Sequence, residues 1–304
     1  MRVHVLGSAA GGGFPQWNCN CANCDGVRRG SVRARPRTQS SIAASADGVH
    51  WILIDASPDI LTQLRSFPAS QPARALRDTA IVGVVLTDSQ IDHTTGLLML
   101  REGTRLRVYC TEPVRDDLTH ANPLFAVLGH YCGVDWQRID VGHSTSFGVA
   151  GAEGLALRAI PVASKAPPYS PHRHDGHQGD TLAIELRDER TGGALLYAPG
   201  LRDIEPPVRA ALGRVDCVLV DGTFWTEDEL IRLGIGDKRA GDMGHLPQSG
   251  PGGMLDVLAG FARPRKVLTH INNTNPILDE DSPERAQLAA AGIEVAHDGM
   301  EIVL

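Results

Sequence analysis

The feature that most constrains the fold of this chain is a series of short apolar runs, rich in Val, Ile and Leu, separated by Gly, Pro and Asp. Such runs, bounded by turn residues, predict strands, several of them fully buried. The predicted strands cover residues 2–6, 51–55, 81–86, 106–110, 155–161, 181–186, 194–198, 217–220, 266–269 and 300–304. Helical patterns are fewer and cover residues 58–66, 95–102, 113–119, 253–261 and 282–291.

In both halves of the chain, groups of strands are followed by helices. This order favours an α/β fold in which two sheets pack face to face with helices outside, a four-layer αββα sandwich. No linker of biased composition is visible, so a single domain is expected over residues 1–304. A dinucleotide-binding sheet is the alternative, because the Gly-rich residues 7–13 follow a strand. Pro15 and a group of cysteines follow at once, however, where that fold would open a helix.

The charge balance argues against a nucleic-acid partner, which is held largely by Lys and Arg. The 304 residues carry 29 basic and 36 acidic side chains, a net charge of −7. One basic run, residues 28–37, holds five arginines and is interpreted either as a solvated loop or as a rim that attracts an anionic substrate. No secretory signal and no run approaching the roughly 20 apolar residues of a membrane span are found, so a cytoplasmic location is expected.

Three of the six cysteines lie within six residues of one another, at Cys19, Cys21 and Cys24. Cysteines this sparse do not make a disulfide scaffold, and thiolates at this spacing can converge on one soft ion such as Zn²⁺. A structural zinc site is therefore expected in a Cys-rich segment at about residues 14–30. Three reactive or buried thiols are the alternative, and the fourth zinc ligand is left open.

Two buried strands run into possible metal ligands. The strand at 81–86 leads to Asp88, Gln90, Asp92 and His93, and the strand at 266–269 leads to His270. An adjacent Asp-His pair is a weak signal alone. With His270 at a second strand end, Asp92 and His93 would supply one carboxylate and two imidazoles to an ion.

These motifs resemble the metallo-β-lactamase superfamily, and within it the coenzyme PQQ synthesis protein B family. The resemblance rests on the DxQxDHxxG segment, the late THIN segment, Gly244-His245-Leu246-Pro247, the N-terminal GSAAGGGFPQWNCNCANC and the central SKAPPYSPHR, and it covers essentially the whole chain. It implies the metallo-β-lactamase fold and a role in the biosynthesis of pyrroloquinoline quinone (PQQ). It also implies that His245 is a general acid or base near the site.

The chain departs from the superfamily pattern at one of two metal positions. Where the superfamily has HxHxDH, this sequence has Asp88 and Gln90 in place of the leading histidines, and Pro199 and Gly200 stand where a bridging carboxylate is usual. A two-zinc hydrolase needs both ions to generate its hydroxide. The remaining ligands, Asp92, His93 and His270, are instead the set of non-heme Fe(II) oxygenases.

The resemblance and the surviving ligands together predict an iron-dependent hydroxylase. It would use O₂ to hydroxylate the tyrosine-derived part of a Glu–Tyr diamino acid, the small-molecule precursor of PQQ, with Asp88 and Gln90 assisting near the ion. A soluble carrier of PQQ or its precursor towards the periplasm and an ordinary metallo-hydrolase are the alternatives. A homodimer is compatible with the sequence but not indicated by it.

Three further features stay open. His172, His174 and His177 form a polar group in a Pro/Gly-rich loop, either solvated or contributing one residue to metal or substrate. Related phosphodiesterases have a histidine three residues after the His270 position, where this sequence has Asn273, a poor zinc ligand. Asp221, at the end of a buried strand, is interpreted as a support for the metal ligands or as a turn residue.

Overall fold

The computed structural model describes residues 1–141 and 146–304, which contain two seven-stranded sheets. The strands are β1 Arg2–Gly7, β2 Ser41–Ser45, β3 Trp51–Ile54, β4 Ile81–Val85, β5 Leu106–Cys110, β6 Val134–Arg138, β7 Ser146–Phe147, β8 Leu155–Pro161, β9 Leu182–Asp188, β10 Ala194–Ala198, β11 Cys217–Asp221, β12 Arg265–Thr269, β13 Ile293–Val295 and β14 Glu301–Val303. The first sheet has the order β14-β1-β2-β3-β4-β5-β6, and the second has the order β13-β12-β11-β10-β9-β8-β7.

The helices are short. They are α1 Ala22–Arg29, α2 Ile60–Ser66, α3 Ile91–Thr94, α4 Glu112–Asp116, α5 Leu124–Leu128, α6 Pro206–Arg214, α7 Glu229–Arg232, α8 Ala240–Met243, α9 Met254–Ala259 and α10 Pro283–Ala290. Turns of 3₁₀-helix cover Pro68–Ser70, Thr95–Leu100 and Pro276–Leu278, and a π-helical turn covers Asp117–Ala121. None of the helices in the described ranges has the length and apolar character needed to cross a bilayer.

Alternating side chains of each sheet face two different cores. In β4, Val85 points into the core between the sheets while Val84 faces a helical layer that includes α2, α4 and α5. In β12, Val267 faces the same central core and Leu268 faces a layer that includes α6, α9 and α10. Because both faces of these strands are covered by apolar side chains, the predicted four-layer αββα sandwich is confirmed.

Several expectations about elements need correction. Strands β2, β6, β7 and β13 and helices α1, α5, α6, α7 and α8 were not predicted, and the helix expected at 95–102 is a 3₁₀ turn over Thr95–Leu100 preceded by α3. The basic run is not a solvated loop throughout. Arg28 and Arg29 end α1, and Arg37 is buried and donates to the carbonyl of Ala296. A sequence pattern cannot reveal such a partner 259 residues away.

The parallel parts of the two sheets end at one edge of the sandwich. Strands β3 to β6 are parallel to one another, and so are β10 to β13. Ala9, in the loop after β1, forms parallel bridges to both Gln39 and Ile271 and so links the two sheets at this edge. Polar loops that follow parallel strands are where α/β proteins place their sites.

Candidate metal centre

One carboxylate and two imidazoles meet at this edge, and we call them the central cluster: Asp92, His93 and His270. Asp92 and His93 lie in α3, a single helical turn that follows β4. His270 comes directly after β12. Their ligand atoms lie within 4.8 Å of one another. The sequence prediction that these three residues would meet thus agrees with their positions in the fold.

His93 is oriented by a carboxylate. Its Nδ1 lies 2.9 Å from Oδ1 of Asp88, so Nδ1 donates its proton to Asp88 and Nε2 faces the cluster, where an ion would take the place of the Nε2 proton. The turn behind it is tightly packed, because a Cβ on Gly96 would lie 2.1 Å from the carbonyl oxygen of Ser57. A histidine held in this way by a carboxylate is the usual arrangement at metal sites.

His270 is oriented by a neutral hydroxyl. Its backbone adopts a positive φ of 56°, which is uncommon for a residue with a side chain and turns the ring back towards the cluster. Nδ1 of His270 lies 2.9 Å from Oγ1 of Thr223, and that hydroxyl donates to Oδ1 of Asp221 at 2.7 Å. The lone pair of Nε2 is again left to face Asp92.

The central cluster fits a metal ion. Oδ2 of Asp92 lies 3.3 Å from Nε2 of His270 and 3.9 Å from Nε2 of His93. Among the described residues, Nε2 of His93 is a buried ring nitrogen without any hydrogen-bond partner. A buried, unpartnered acceptor is costly unless an ion occupies the space in front of it. An ion about 2.1 Å from each atom fits between atoms at such separations.

The charges around His93 favour a cation. Asp55, Asp88 and Asp92 all approach its ring. Burial opposes charge on His93, but these carboxylates outweigh it and hold the pKa of His93 well above its usual value. Burial also raises the pKa of Asp55 to about 7, although His93 opposes this shift. With three carboxylates facing one imidazole, the potential at this edge attracts positive ions.

A second group shares His270 but has a different character. Asp221, His245 and His270 also lie within 4.8 Å of one another. The carboxylate of Asp221, however, already accepts from Leu201 N, His245 Nδ1, Thr223 N and Thr223 Oγ1, at 2.7 to 3.0 Å. Four hydrogen bonds occupy all the lone-pair sites of a carboxylate. Asp221 therefore orients His245 and is not free to bind an ion.

The Asp221–His245 pair resembles an acid–base dyad. Nδ1 of His245 lies 2.7 Å from Oδ2 of Asp221, and its ring stacks on that of His270 with centroids 5.4 Å apart. Burial lowers the pKa of His245, but the attraction of Asp221 outweighs it and raises that pKa above the usual value. His245 can therefore hold a proton beside the central cluster. Thr223 was not anticipated, although its place two residues after the strand-ending Asp221 was a usable signal.

The other predicted residues lie around the rim. Gln90 donates from Nε2 to the carbonyl of Lys165 at 3.2 Å, which ties α3 to the loop of residues 162–181. In that loop His172 and His177 have ring centroids 4.0 Å apart, and His174 is exposed. Asp88 and Gln90 thus contact supporting groups, and neither belongs to the groups of potential ligands at this edge of the described chain.

The cysteine cluster, Cys19, Cys21 and Cys24, lies at the start of α1. Its sulfur atoms are within 4.8 Å of one another. Backbone N–H groups of Cys21 and Gln16 point at the sulfurs of Cys19 and Cys24, at 3.4 and 3.3 Å. Burial and the neighbouring thiols raise the pKa of Cys21 to about 12. Since thiolates repel one another, all three are charged together only around a cation.

The comparisons with known proteins agree with this geometry. A family model described as a beta-lactamase superfamily domain matches residues 50–271. Coenzyme PQQ synthesis protein B of Nitrosococcus oceani is 62% identical over 309 residues and covers 100% of both chains. The protein of that name from Azotobacter vinelandii is 61% identical over 305 residues, again with 100% of both chains covered. This chain belongs to the coenzyme PQQ synthesis protein B family.

Solved structures of other proteins have a fold similar to that of this chain. The crystal structure of zinc-bound PqqB from Methylobacterium extorquens matches with a TM-score of 0.91 at 38% identity, covering 100% of both chains. A diphosphatase of the PhnP family matches with a TM-score of 0.66 at 21% identity, covering 99% and 97%, which is a likeness of fold. The fold of this chain is therefore the metallo-β-lactamase fold, as the resemblance implied. The family name connects the chain with the synthesis of coenzyme PQQ.

Proposed function

We propose that this protein is an iron-dependent oxygenase of PQQ biosynthesis, which hydroxylates the tyrosine-derived part of a Glu–Tyr diamino acid precursor. The observation that carries the proposal is the convergence of Asp92, His93 and His270, with Nε2 of His93 buried and unpartnered. Two imidazoles and one carboxylate are the ligand set of non-heme Fe(II) oxygenases. A quinone cofactor made from amino acids needs oxygen atoms that its precursors lack, which suits a hydroxylation step.

The surrounding residues hold these ligands in place. Asp88 fixes the ring of His93 and Thr223 fixes the ring of His270, so both lone pairs face Asp92. Asp92, His93 and His270 would hold the ion with three protein ligands and would leave room beside it for O₂ and substrate. When bound, Fe(II) would supply the activation of O₂ that the side chains alone cannot provide.

Hydroxylation also requires electrons and protons. One atom of O₂ enters a C–H bond of the substrate and the other leaves as water, so two electrons and two protons must be supplied. The electrons come from a two-electron reductant in solution, such as ascorbate in an assay. His245 is held by Asp221 and has a raised pKa, which supports a role in delivering a proton to the reacting groups or taking one from the substrate hydroxyl.

A two-metal hydrolase is disfavoured by the contacts of the neighbouring group. Asp88 is engaged by His93, Gln90 by Lys165, and Asp221 by four donors. The three residues nearest to a second metal position are therefore already engaged by other partners. Without a second ion, the hydroxide of such hydrolases is not formed efficiently.

The test is a labelled-oxygen assay. Metal-free protein is loaded with Fe(II) without air, then given labelled O₂, ascorbate and a cross-linked Glu–Tyr diamino acid, and the product is weighed by mass spectrometry. We expect one labelled oxygen per hydroxylation and none with zinc in place of iron. Tight binding of the precursor without any oxygen incorporation would favour a carrier role, and turnover of a lactam or a phosphodiester by the same protein would favour a hydrolase.

The cysteine cluster has a separate proposed role. Its three thiolates suit Zn²⁺, and its place outside the central cluster suits a structural ion. Each protein would then hold one structural zinc and one Fe(II). We keep a cytoplasmic location and a homodimer as expectations to be tested by fractionation and by sedimentation.

A further inference from the structure

We propose that the side-chain amide of Asn273 is the fourth arm of the cysteine site, and that the ion held there controls how tightly the central cluster binds its own metal. The inference rests on the two metal sites proposed above. It concerns the loop of residues 270–275, which begins with a ligand of one site and passes through the other.

The amide of Asn273 caps the triangle formed by the three sulfurs. Its terminal nitrogen lies 3.1 Å from Sγ of Cys19, 3.7 Å from Sγ of Cys21 and 3.4 Å from Sγ of Cys24. In a tetrahedral zinc site with bonds of about 2.3 Å to sulfur and about 2.1 Å to oxygen, the sulfur-to-oxygen edge is about 3.6 Å. The amide therefore occupies the position of a fourth ligand. A rotation of 180° about the Cβ–Cγ bond of Asn273 exchanges the amide nitrogen and oxygen and presents the oxygen there.

The rest of the loop is attached to α1 as well. Asn23, on α1, donates from Nδ2 to the carbonyls of Asn273 and Asn275, at 3.2 and 2.9 Å. Asn275 in turn donates to the carbonyl of Gly222 at 2.9 Å, beside the Thr223 that orients His270. A shift of α1 and the cysteine cluster would therefore move the partners of His270 together with the loop.

The N-terminal segment also reaches the other side of the central cluster. The backbone N–H of Ala10 donates to the carbonyl of Ile271, next to His270. A Cβ on Gly11 would lie 3.2 Å from Oδ2 of Asp92, so the glycine lets this backbone approach the carboxylate. Residues 10 and 11, which lead into the cysteine cluster, thus lie against Asp92 and against Ile271, the residue that follows His270.

The strained backbone of His270 gives the coupling a physical basis. A positive φ at a residue with a side chain persists only when its surroundings enforce it. The ion at the cysteine site would supply that enforcement from three residues away, through Asn273. Without the ion, the loop can relax, and Nε2 of His270 would leave its position opposite Asp92.

The first experiment measures zinc affinity by competition with a chromophoric chelator. We expect N273A to weaken zinc binding at least about tenfold and N273D to restore or strengthen it, because a carboxylate oxygen is a good zinc ligand. If the amide only donates N–H groups to the thiolates, N273D would repel them and bind zinc more weakly than N273A. That result would overturn the ligand assignment. N272A is the matched control, since Asn272 contacts Thr274 and not the sulfurs.

The second experiment measures the central site by a Mn(II) titration followed by electron paramagnetic resonance, because Mn²⁺ prefers oxygen and nitrogen ligands to thiolates. Wild-type protein with one zinc per chain is compared with protein stripped of zinc, with circular dichroism as the check on folding. We expect the Mn(II) dissociation constant to rise about tenfold on stripping. If stripping unfolds the chain, folded N273A and N273D are compared instead at equal zinc content. The Mn(II) dissociation constant of N273A should then be about tenfold higher than that of N273D.

Equal Mn(II) affinity with and without zinc would refute the coupling. These readouts do not depend on turnover. If both affinities change as expected while labelled oxygen never enters the precursor, the hydroxylase proposal fails and the coupling stands. If hydroxylation is observed but the Mn(II) affinity does not depend on zinc, the coupling fails and the hydroxylase proposal stands.

Discussion

The cysteine cluster and the central cluster are two groups of potential metal ligands built in opposite ways. The cysteines come from six consecutive residues at the start of one helix, and Cys19 and Cys21 are partly exposed. The central cluster joins α3 after the first sheet to the end of β12 in the second, and His93 and His270 are buried. The soft thiolates suit a structural ion, and the mixed set suits a reactive one.

This difference shows which part of the molecule fixes the geometry of each site. A local segment needs only its own turn to bring three thiols together, and an ion can then fasten it to a neighbouring loop. The central cluster needs both sheets in register, since Asp92 and His270 are 178 residues apart. Its geometry is therefore a property of the whole sandwich, and substitutions at the two sites should have separable effects.

The largest effect is expected from removing the central ligands. D92A, H93A and H270A should each reduce iron-dependent incorporation of labelled oxygen to background, because a ligand set of two is too weak to hold the ion for reaction. Zinc at the cysteine cluster should remain near one per chain, as measured by elemental analysis. H130A, at an exposed histidine after α5, is the control. Full incorporation in all three variants would contradict the assignment.

The next largest effect is on stability. Replacing Cys19, Cys21 and Cys24 together by Ala should remove about one zinc per chain and lower the melting temperature by roughly 5 °C or more, since the ion's binding energy contributes to folding. Calorimetry and elemental analysis of the same samples check this. An unchanged zinc content with an unchanged melting temperature would show that the cluster holds no structural ion.

A smaller effect is expected from the carboxylate that orients His93. D88N keeps the shape of Asp88 but loses its negative charge, so the Nδ1 proton of His93 is held less firmly. Mn(II) affinity of the central cluster should fall about 10- to 100-fold, with zinc at the cysteine cluster unaffected. An equal loss at both sites would mean that the variant disturbs the fold, and a wild-type Mn(II) affinity would show that Asp88 does not position the ring.

The smallest expected signal is hydrolysis. Metal-pure protein should show no lactamase or phosphodiesterase turnover above background, because Asp88 and Gln90 replace the histidines that would hold a second ion. D88A should leave that background unchanged. Robust turnover that D88A abolishes would show that Asp88 serves a second ion, and the separation drawn here between a structural and a mononuclear site would fail.

Much of the molecule could be read from local pattern. Strands β5, β8 and β10 have the bounds that their apolar runs predict, and the two-sheet architecture follows from the order of such runs. The sequence spacing also identified Cys19, Cys21 and Cys24. Strand β6 was not predicted. Its sequence, VDWQR, is only half-buried, and it forms a strand because it pairs with β5 and not because of its own hydropathy.

The sequence by itself determined which residues could bind a metal, because ligand chemistry belongs to side chains and strand ends are marked by hydropathy. Only the tertiary structure decided their roles. Asp88 meets His93, four donors meet Asp221, and Asn273 meets three sulfurs about 250 residues away in the chain. Those contacts depend on the register of two packed sheets and on loops crossing their shared edge. The hydrophobic periodicity of the sequence does not specify which residues far apart in the chain come into contact.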